Sequence, residues 1–573
     1  MFIEIMRRKR MKKGIRKALA AVLALSMTAA LASCGSTGGK TAAESAPAAE
    51  TSAQAAATGA ADTTAAPGEK IVNIGVTDQL GTLNPLNMDW TFINLYSTSL
   101  MFLPLASFNS QNSVDYMLAE SITTDDNLTF HVKIRDDASW SDGQPVTSDD
   151  VIFTILRMTS PEVANYNFDF SMFKGFDGGA SPSGAESIDG LKKIDDKNLE
   201  FIATTPMSLN TFLNNVATWI CILPSHVLKD VPAKDLLTYD WFNHPDVVDG
   251  PYVLDSYDSA HYISYHANDK YMFGAPKIDK LNVKIVQPSE LLAGLKSGEI
   301  DFINPSTGAI PATDRDAVEK LDGVKAVWTE PVTNEMTFFN TKKVTDARVR
   351  KAFVEAIDRN TILSSLLGGH GEITDGFVMS GSPLYDSSKG TIPYDPQDAK
   401  KLVDEAVSDG KWDSSTELQY YVSSSDDFAI KASQIIQQEL AQAGIKVKIN
   451  TVDFATLMSV AGTDDVDVFS VQYTITPADF YADENSLVNA GESWTGGYQN
   501  PDVAKALAAT QTASSEDELK KLYRTVDDKM IEDVPMFSLY FMSNLGVVSS
   551  RLQNATPSLY GSYNNIQEWD IAE

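Results

Sequence analysis

Apolar and polar positions change their rhythm several times along this chain of 573 residues. Ala18–Ala32 is an apolar run broken only by Ser26 and Thr28. It is shorter than the roughly 20 residues a membrane-spanning helix needs. Residues 35–68 are dominated by Ala, Thr, Ser and Gly, with isolated Pro and no aromatic residue. Such a segment buries too little surface to offset the entropy of ordering, so it reads as a flexible tether. Periodicity sets in near Lys70. Ile71, Ile74 and Val76 begin a strand, and Thr129–Ile134 alternates as a half-buried strand does. Ser148 or Asp149 is placed to cap a helix through Val151, Ile155 and Leu156. Residues 175–190 read as a Gly/Ser-rich loop, and Tyr262–His266 and Leu281–Val286 as strands.

From about residue 288 the pattern alternates strand and helix. Leu291–Leu295 reads as helix and Ile300–Ile303 as a short strand. Arg348–Leu367 carries Val349, Phe353 and Ile357 at helical spacing and stops at Gly368-Gly369. Asp395-Pro396 places an N-cap before an N1 proline, opening a helix over 396–407. Ala429–Ala443 reads as a helix ended by Gly444, and Ile445, Val447 and Ile449 follow as a strand. The alternation predicts an α/β fold built in layers.

Charge then narrows the function. Lys and Arg total 46 against 77 Asp and Glu, a net charge of −31. A phosphate backbone needs a basic face, so nucleic acid is excluded as a general partner. Two cysteines exclude a disulfide framework, and six scattered histidines leave little for a metal centre. Cys221, inside Trp219–Leu223, reads as a small buried apolar residue. Neither a Gly-x-Ser-x-Gly elbow nor a His-Glu-x-x-His motif occurs, so no catalytic residue, metal or cofactor is expected. Residues 1–17 hold eight Lys or Arg and one acid, and with Ala18–Ala32 they read as a secretory signal. Met11 would make a more compact start for it.

Leu31-Ala32-Ser33-Cys34 resembles the bacterial lipobox, in which the chain is cut before Cys and the Cys is lipidated. The body carries further motifs in order. They are Leu83-Asn84-Pro85, Leu118-Ala119-Glu120-Ser121, Asp126–Phe130, Ile134–Gly143 and Asp249-Gly250-Pro251-Tyr252. Ser297–Asp301, Asp346–Ala352 with Ala356–Arg359, Gly444–Val447 and Asn500-Pro501 follow. Through these the chain resembles the bacterial solute-binding proteins of ABC importers, in the oligopeptide/dipeptide-binding family (family 5), over nearly all of residues 70–565. The motifs themselves read as scaffold. Gly143 and Gly250 serve turns and Trp140 packs under its turn. Arg348, Arg350, Asp358 and Arg359 form exposed or interdomain ion pairs.

The resemblance implies a two-lobed periplasmic-binding-protein-like fold, large and of class II, whose lobes close on a solute like a hinge. Residues 1–33 would be the signal and 34–69 the lipidated Cys34 with its tether. Lobe one would be 70–290, with an extra subdomain at about 108–187. Lobe two would be 291–534, and 535–573 would return to lobe one. The implied partners are a peptide or other small solute, the permease and ATPase of the importer, and the outer face of the cytoplasmic membrane through the lipid. The protein is expected to act as a monomer.

The implied ligand contacts are Asp89, Trp90 and Thr91; Asn334 and Glu335; Tyr473, Thr474 and Thr476; and Trp494 and Tyr498. Trp90 and Tyr473 are expected to line the cleft between lobes. One departure bears on the solute. Peptide-binding members of the family hold the ligand's α-ammonium with an Asp, and Thr476 stands there in this sequence. Either Asp89, Glu335 or Asp479 takes that role, or the solute is not a free-amine peptide, an oligosaccharide or metal chelate being the alternatives. A receptor for signalling peptides would use the same fold.

Overall fold

The computed structural model describes residues 68–572 except 90, 112, 166, 389, 425, 476–478, 490–493 and 514. Cys34 and the signal-like segment lie outside the described residues, as do Trp90 and Thr476. Among the described residues no helix is long and apolar enough to cross a membrane.

Two large mixed sheets organise the body. The first has seven strands, in the spatial order Val324–Trp328, Leu545–Ser549, Phe302–Ile303, Ile71–Val76, Lys280–Ile285, Tyr262–Ala267 and Tyr252–Asp258. The second has six, in the order Gly371–Glu372, Met536–Met542, Thr333–Phe339, Val468–Thr474, Glu417–Ser423 and Lys446–Val452. A four-stranded antiparallel sheet (Ala119–Thr123, Thr129–Ile134, Asn198–Ile202, Leu191–Lys193) stands beside the first. Two of its strands lie beyond residue 187, where the extra subdomain was expected to end. The α/β layers expected from the alternation are present. Each large sheet has its own apolar core: Val72, Ile74, Leu281 and Phe302 in the first, Phe339, Phe353, Tyr420 and Phe537 in the second.

The chain passes between the sheets at Thr329–Val332 and returns at Ser543–Asn544. Both passages fall later than the expected boundaries at 290/291 and 534/535. The strands Phe302–Ile303 and Val324–Trp328 pair in the first sheet, with Leu545–Ser549, whereas Met536–Met542 pairs in the second. The two passing segments are tied together. Thr329 N–H donates to the Asn544 carbonyl at 2.9 Å, and Asn544 Nδ2 donates to Thr333 Oγ1 at 3.1 Å.

Local chemistry explains the elements. Thr147 and Asp150 form a reciprocal capping box for Ser148–Met158. Asp395 caps Pro396–Ser408 by accepting from the amides of Gln397 and Asp398. A Cβ on Gly250 would lie 2.4 Å from the Leu100 carbonyl oxygen, so only glycine fits that turn. Trp140 is fully buried, as its turn suggested.

The expected helix Arg348–Leu367 is two helices, Ala347–Glu355 and Arg359–Leu367. Asp358 caps the second by accepting from Thr361 N, which breaks the run although the apolar spacing continues through it. Two of the three arginines also differ from expectation. Arg348 pairs with Asp346 and Asp409, but Arg350 is buried and donates to the carbonyls of Val344, Thr345, Asp533 and Val534. Arg359 forms a buried pair with Asp375 at 2.6 Å and also donates to the carbonyls of Ser538 and Ile392. Asp301 accepts from Arg551 and from Asn73 N, joining three strands of the first sheet.

Candidate functional site

Beside the passing segments the two halves enclose a cleft of about 690 Å³. The first half contributes Pro305, residues 308–313 and Arg315, and the second contributes Asp426–Ala429, Phe454 and Ser470–Gln472. Chain direction puts these groups there. Glu417–Ser423 and Lys446–Val452 run parallel, and each is followed by a helix that begins at the cleft. Asp426 caps Asp427–Gln442 through Ala429 N, and Asp453 caps Phe454–Val460 through Thr456 N. Solutes in open α/β sheets bind outside the carboxyl ends of the strands, which is this position. Burial raises the Asp426 carboxyl. Among the described residues no group of His, Cys, Asp and Glu is arranged to hold a metal ion.

The residues expected from the sequence are placed as follows. Asp89 accepts from Thr91 N at 3.0 Å, from Thr91 Oγ1 at 2.6 Å and from Asn94 Nδ2 at 2.9 Å. Its carboxylate thus organises the start of the helix Phe92–Ser99, and Thr91 is exposed. Asn334 is fully buried and donates to Ser538 Oγ at 2.8 Å.

Glu335 is 0% exposed, and neither carboxyl oxygen has a hydrogen-bond partner. It lies across the ladder from Gln472 and Tyr540, two strands away from Asp426's strand end. Burial first, and the Asp426 charge second, push its carboxyl well above the usual range, which favours its protonated form. The buried Tyr540 hydroxyl is likewise unpartnered, and burial raises it too.

Tyr473 is half-buried and donates to Asp483 Oδ1 at 2.6 Å. Burial, then the Asp483 charge, push its phenol up. Thr474 Oγ1 meets Thr333 Oγ1 at 3.3 Å. Just beyond this strand the first half makes contact: Tyr560 donates to the Ile475 carbonyl at 3.4 Å, and Phe92 packs edge-on against Tyr560. Asp479 is buried and accepts from Tyr523 at 3.0 Å, with its carboxyl raised by burial.

Trp494 and Tyr498 sit elsewhere. Trp494 packs edge-on against Phe338 and Phe469 inside the second half. Tyr498 donates to Asp533 at 2.6 Å, a carboxylate it shares with Asn500. Gly496 adopts φ +69°, and a Cβ there would lie 2.3 Å from Asn340 Oδ1, so this segment is glycine for packing.

The sequence did not single out Arg315, Phe428 or Phe454 on the cleft wall. Arg315 stands among Asp314, Asp316 and Glu319 in a polar helix, Ala312–Glu319, which reads as a solvated face. Phe428 and Phe454 follow capping aspartates, which is the signal that could have found them.

A family model described as "Bacterial extracellular solute-binding proteins, family 5 Middle" matches residues 113–508. The oligopeptide-binding protein AppA of Bacillus subtilis (strain 168) is 25% identical over 519 residues, covering 84% of this chain and 90% of the relative. The structure of AppA from Bacillus subtilis in complex with a nonapeptide superposes with a TM-score of 0.67 at 22% identity, covering 88% of this chain and 100% of that one. NikZ from Campylobacter jejuni, in complex with Ni(L-His), gives a TM-score of 0.68 at 22% identity, covering 87% of this chain and 99% of that one. These likenesses establish the large two-sheet periplasmic-binding-protein fold.

Proposed function

The chain belongs to the bacterial extracellular solute-binding proteins of family 5, which serve ABC transporters, and from that premise we propose that it captures oligopeptides or dipeptides by interlobe closure. It binds its solute without transforming it. The captured peptide is handed to the membrane permease, whose ATPase drives import. Cys34 carries the lipid that holds the protein at the outer face of the cytoplasmic membrane, and residues 35–69 let it reach. The lobes are the two halves, each built on one large sheet, and Thr329–Val332 with Ser543–Asn544 is the hinge.

The observation that carries this reading is the cleft of about 690 Å³ between two separately cored halves, beside a double connection. Its size falls within the range of small-solute sites. The halves also meet away from the hinge. Asn127 Nδ2 donates to the Gln511 carbonyl at 3.3 Å, and Thr211 Oγ1 donates to Gln511 Oε1 at 3.1 Å. A solute shifts the open–closed balance only by binding the closed form better, and a buried cleft supplies that difference.

The second reading is a non-peptide solute, favoured by Thr476 in place of the amine-holding Asp. Of the acids that could replace it, Asp89 and Asp479 already accept hydrogen bonds, whereas Glu335 does not. AppA is described with a nonapeptide and NikZ with a nickel chelate, so this fold serves both kinds of solute. A thermal-shift screen of dipeptide, oligopeptide, oligosaccharide and metal-chelate panels decides between them. Stabilisation by peptides alone supports the first reading, and stabilisation by another class alone overturns it.

A further inference from the structure

We infer that Arg315 is the group that holds a carboxylate of the solute, so that a peptide is recognised by its free C-terminus; this rests on the peptide reading above. Arg315 lines the cleft from the first half. Its guanidinium carbon lies 5.5 Å from the ring centroid of Trp328 and 5.3 Å from that of Phe428, which belongs to the other half. Stacking of this kind uses the π surface of the guanidinium and satisfies none of its N–H donors. Nε is buried and has no hydrogen-bond partner.

No carboxylate among the described residues pairs with Arg315. The acids on its own helix are engaged elsewhere. Asp316 meets Lys320, Glu319 accepts from Trp328 Nε1 at 2.6 Å, and Asp314 accepts from Thr313. Across the cleft, Asp426 accepts from Ala429 N at 2.9 Å, and Asp427 is exposed. Burial alone, with no acid opposing it, pushes the guanidinium below its usual range. An unpaired cation in a closing cleft is costly unless the occupant brings the counter-charge. A carboxylate matches the guanidinium fork with two parallel N–H···O bonds.

The platform under Arg315 is built rather than incidental. Glu319 fixes the Trp328 indole through Nε1, and His370 of the second half stacks on that indole at 3.6 Å between centroids and 9° between planes. Arg315 is therefore set between halves, where a bound carboxylate would also favour closure. Lys431, on the helix Asp427–Gln442 of the second half, brings another cation to the cleft from the opposite wall.

The test pairs tri- and tetrapeptides as free acids with the same peptides as C-terminal amides. Thermal shift finds the best binders and calorimetry measures them on wild type, Arg315→Gln and Arg315→Lys. Wild type is expected to bind acids at least about 30-fold more tightly than amides. Arg315→Gln should bind both forms alike, within about threefold, and Arg315→Lys should fall between. Equal binding of acid and amide by wild type overturns the inference without needing any variant and leaves the peptide reading standing. So does an acid preference that survives in Arg315→Gln. Failure of both forms of every peptide overturns the peptide reading, and this inference falls with it.

Discussion

The amide of Asn544 donates to the hydroxyl of Thr329 at 3.0 Å, and the amide of Thr329 donates to the carbonyl of Asn544 at 2.9 Å. This reciprocal pair fastens the two passing segments to each other at the point where each leaves one sheet for the other. Rotation of one half against the other about this pair would leave both cores intact, because each core belongs to a single sheet. Thr329→Val keeps the shape but removes the acceptor for Asn544 N–H. The expected cost is about 1–2 kcal/mol, read as a lower urea midpoint at unchanged slope. An unchanged midpoint would mean that the pair carries no stability.

Arg359 and Asp375 have side chains only 4% and 3% exposed and lie 2.6 Å apart. Asp375 also accepts from the amide of Ile392. Asp375→Ala strands a buried guanidinium and an amide together, so a loss of about 3–5 kcal/mol is expected. Arg348→Ala, which breaks a pair at the surface, should lower stability far less. Comparable losses in the two variants, measured by chemical denaturation, would contradict the burial argument.

Glu335 makes stability depend on pH. Its folded carboxyl is raised, so the folded state holds the proton more tightly than the unfolded chain. The stabilisation is fully present below the unfolded value of about 4.3 and is lost as pH rises through the folded value. Glu335→Gln removes that titration. The variant should therefore gain on wild type as pH rises from 4 to 8, with a difference in melting temperature growing to about 2–5 °C. Melting curves at several pH values check this. Parallel curves for the two proteins would show that the carboxyl is not raised in the folded state.

Much of the scaffold could be read from residue order. Thr129–Ile134 alternates in burial as its side chains do, and Asp395-Pro396 opens a helix where the cap chemistry requires. The passage between sheets was hidden for a physical reason. Met536–Met542 is buried at every position and Leu545–Val548 follows it, so a nearly continuous apolar run conceals a change of sheet. Asp358 broke a helix that apolar spacing alone would have continued. At the cleft, Ser470–Gln472 line the cavity, and Tyr473 and Thr474, the expected contacts, follow them on the same strand. Phe428 meets Arg315 only because the halves face each other, and no local pattern encodes that meeting. Trp494 looked like a stacking residue and instead packs with Phe338 and Phe469, since an aromatic residue serves either purpose.

The protein's proposed task is to close on a solute and carry it unchanged. Native mass spectrometry of the protein purified from its host, followed by release and fragmentation of whatever is bound, tests it most directly. One intact peptide per chain is expected, with its C-terminal carboxylate free. A protein that carries no solute, or one that releases a chemically altered product on incubation with the peptide, would contradict it.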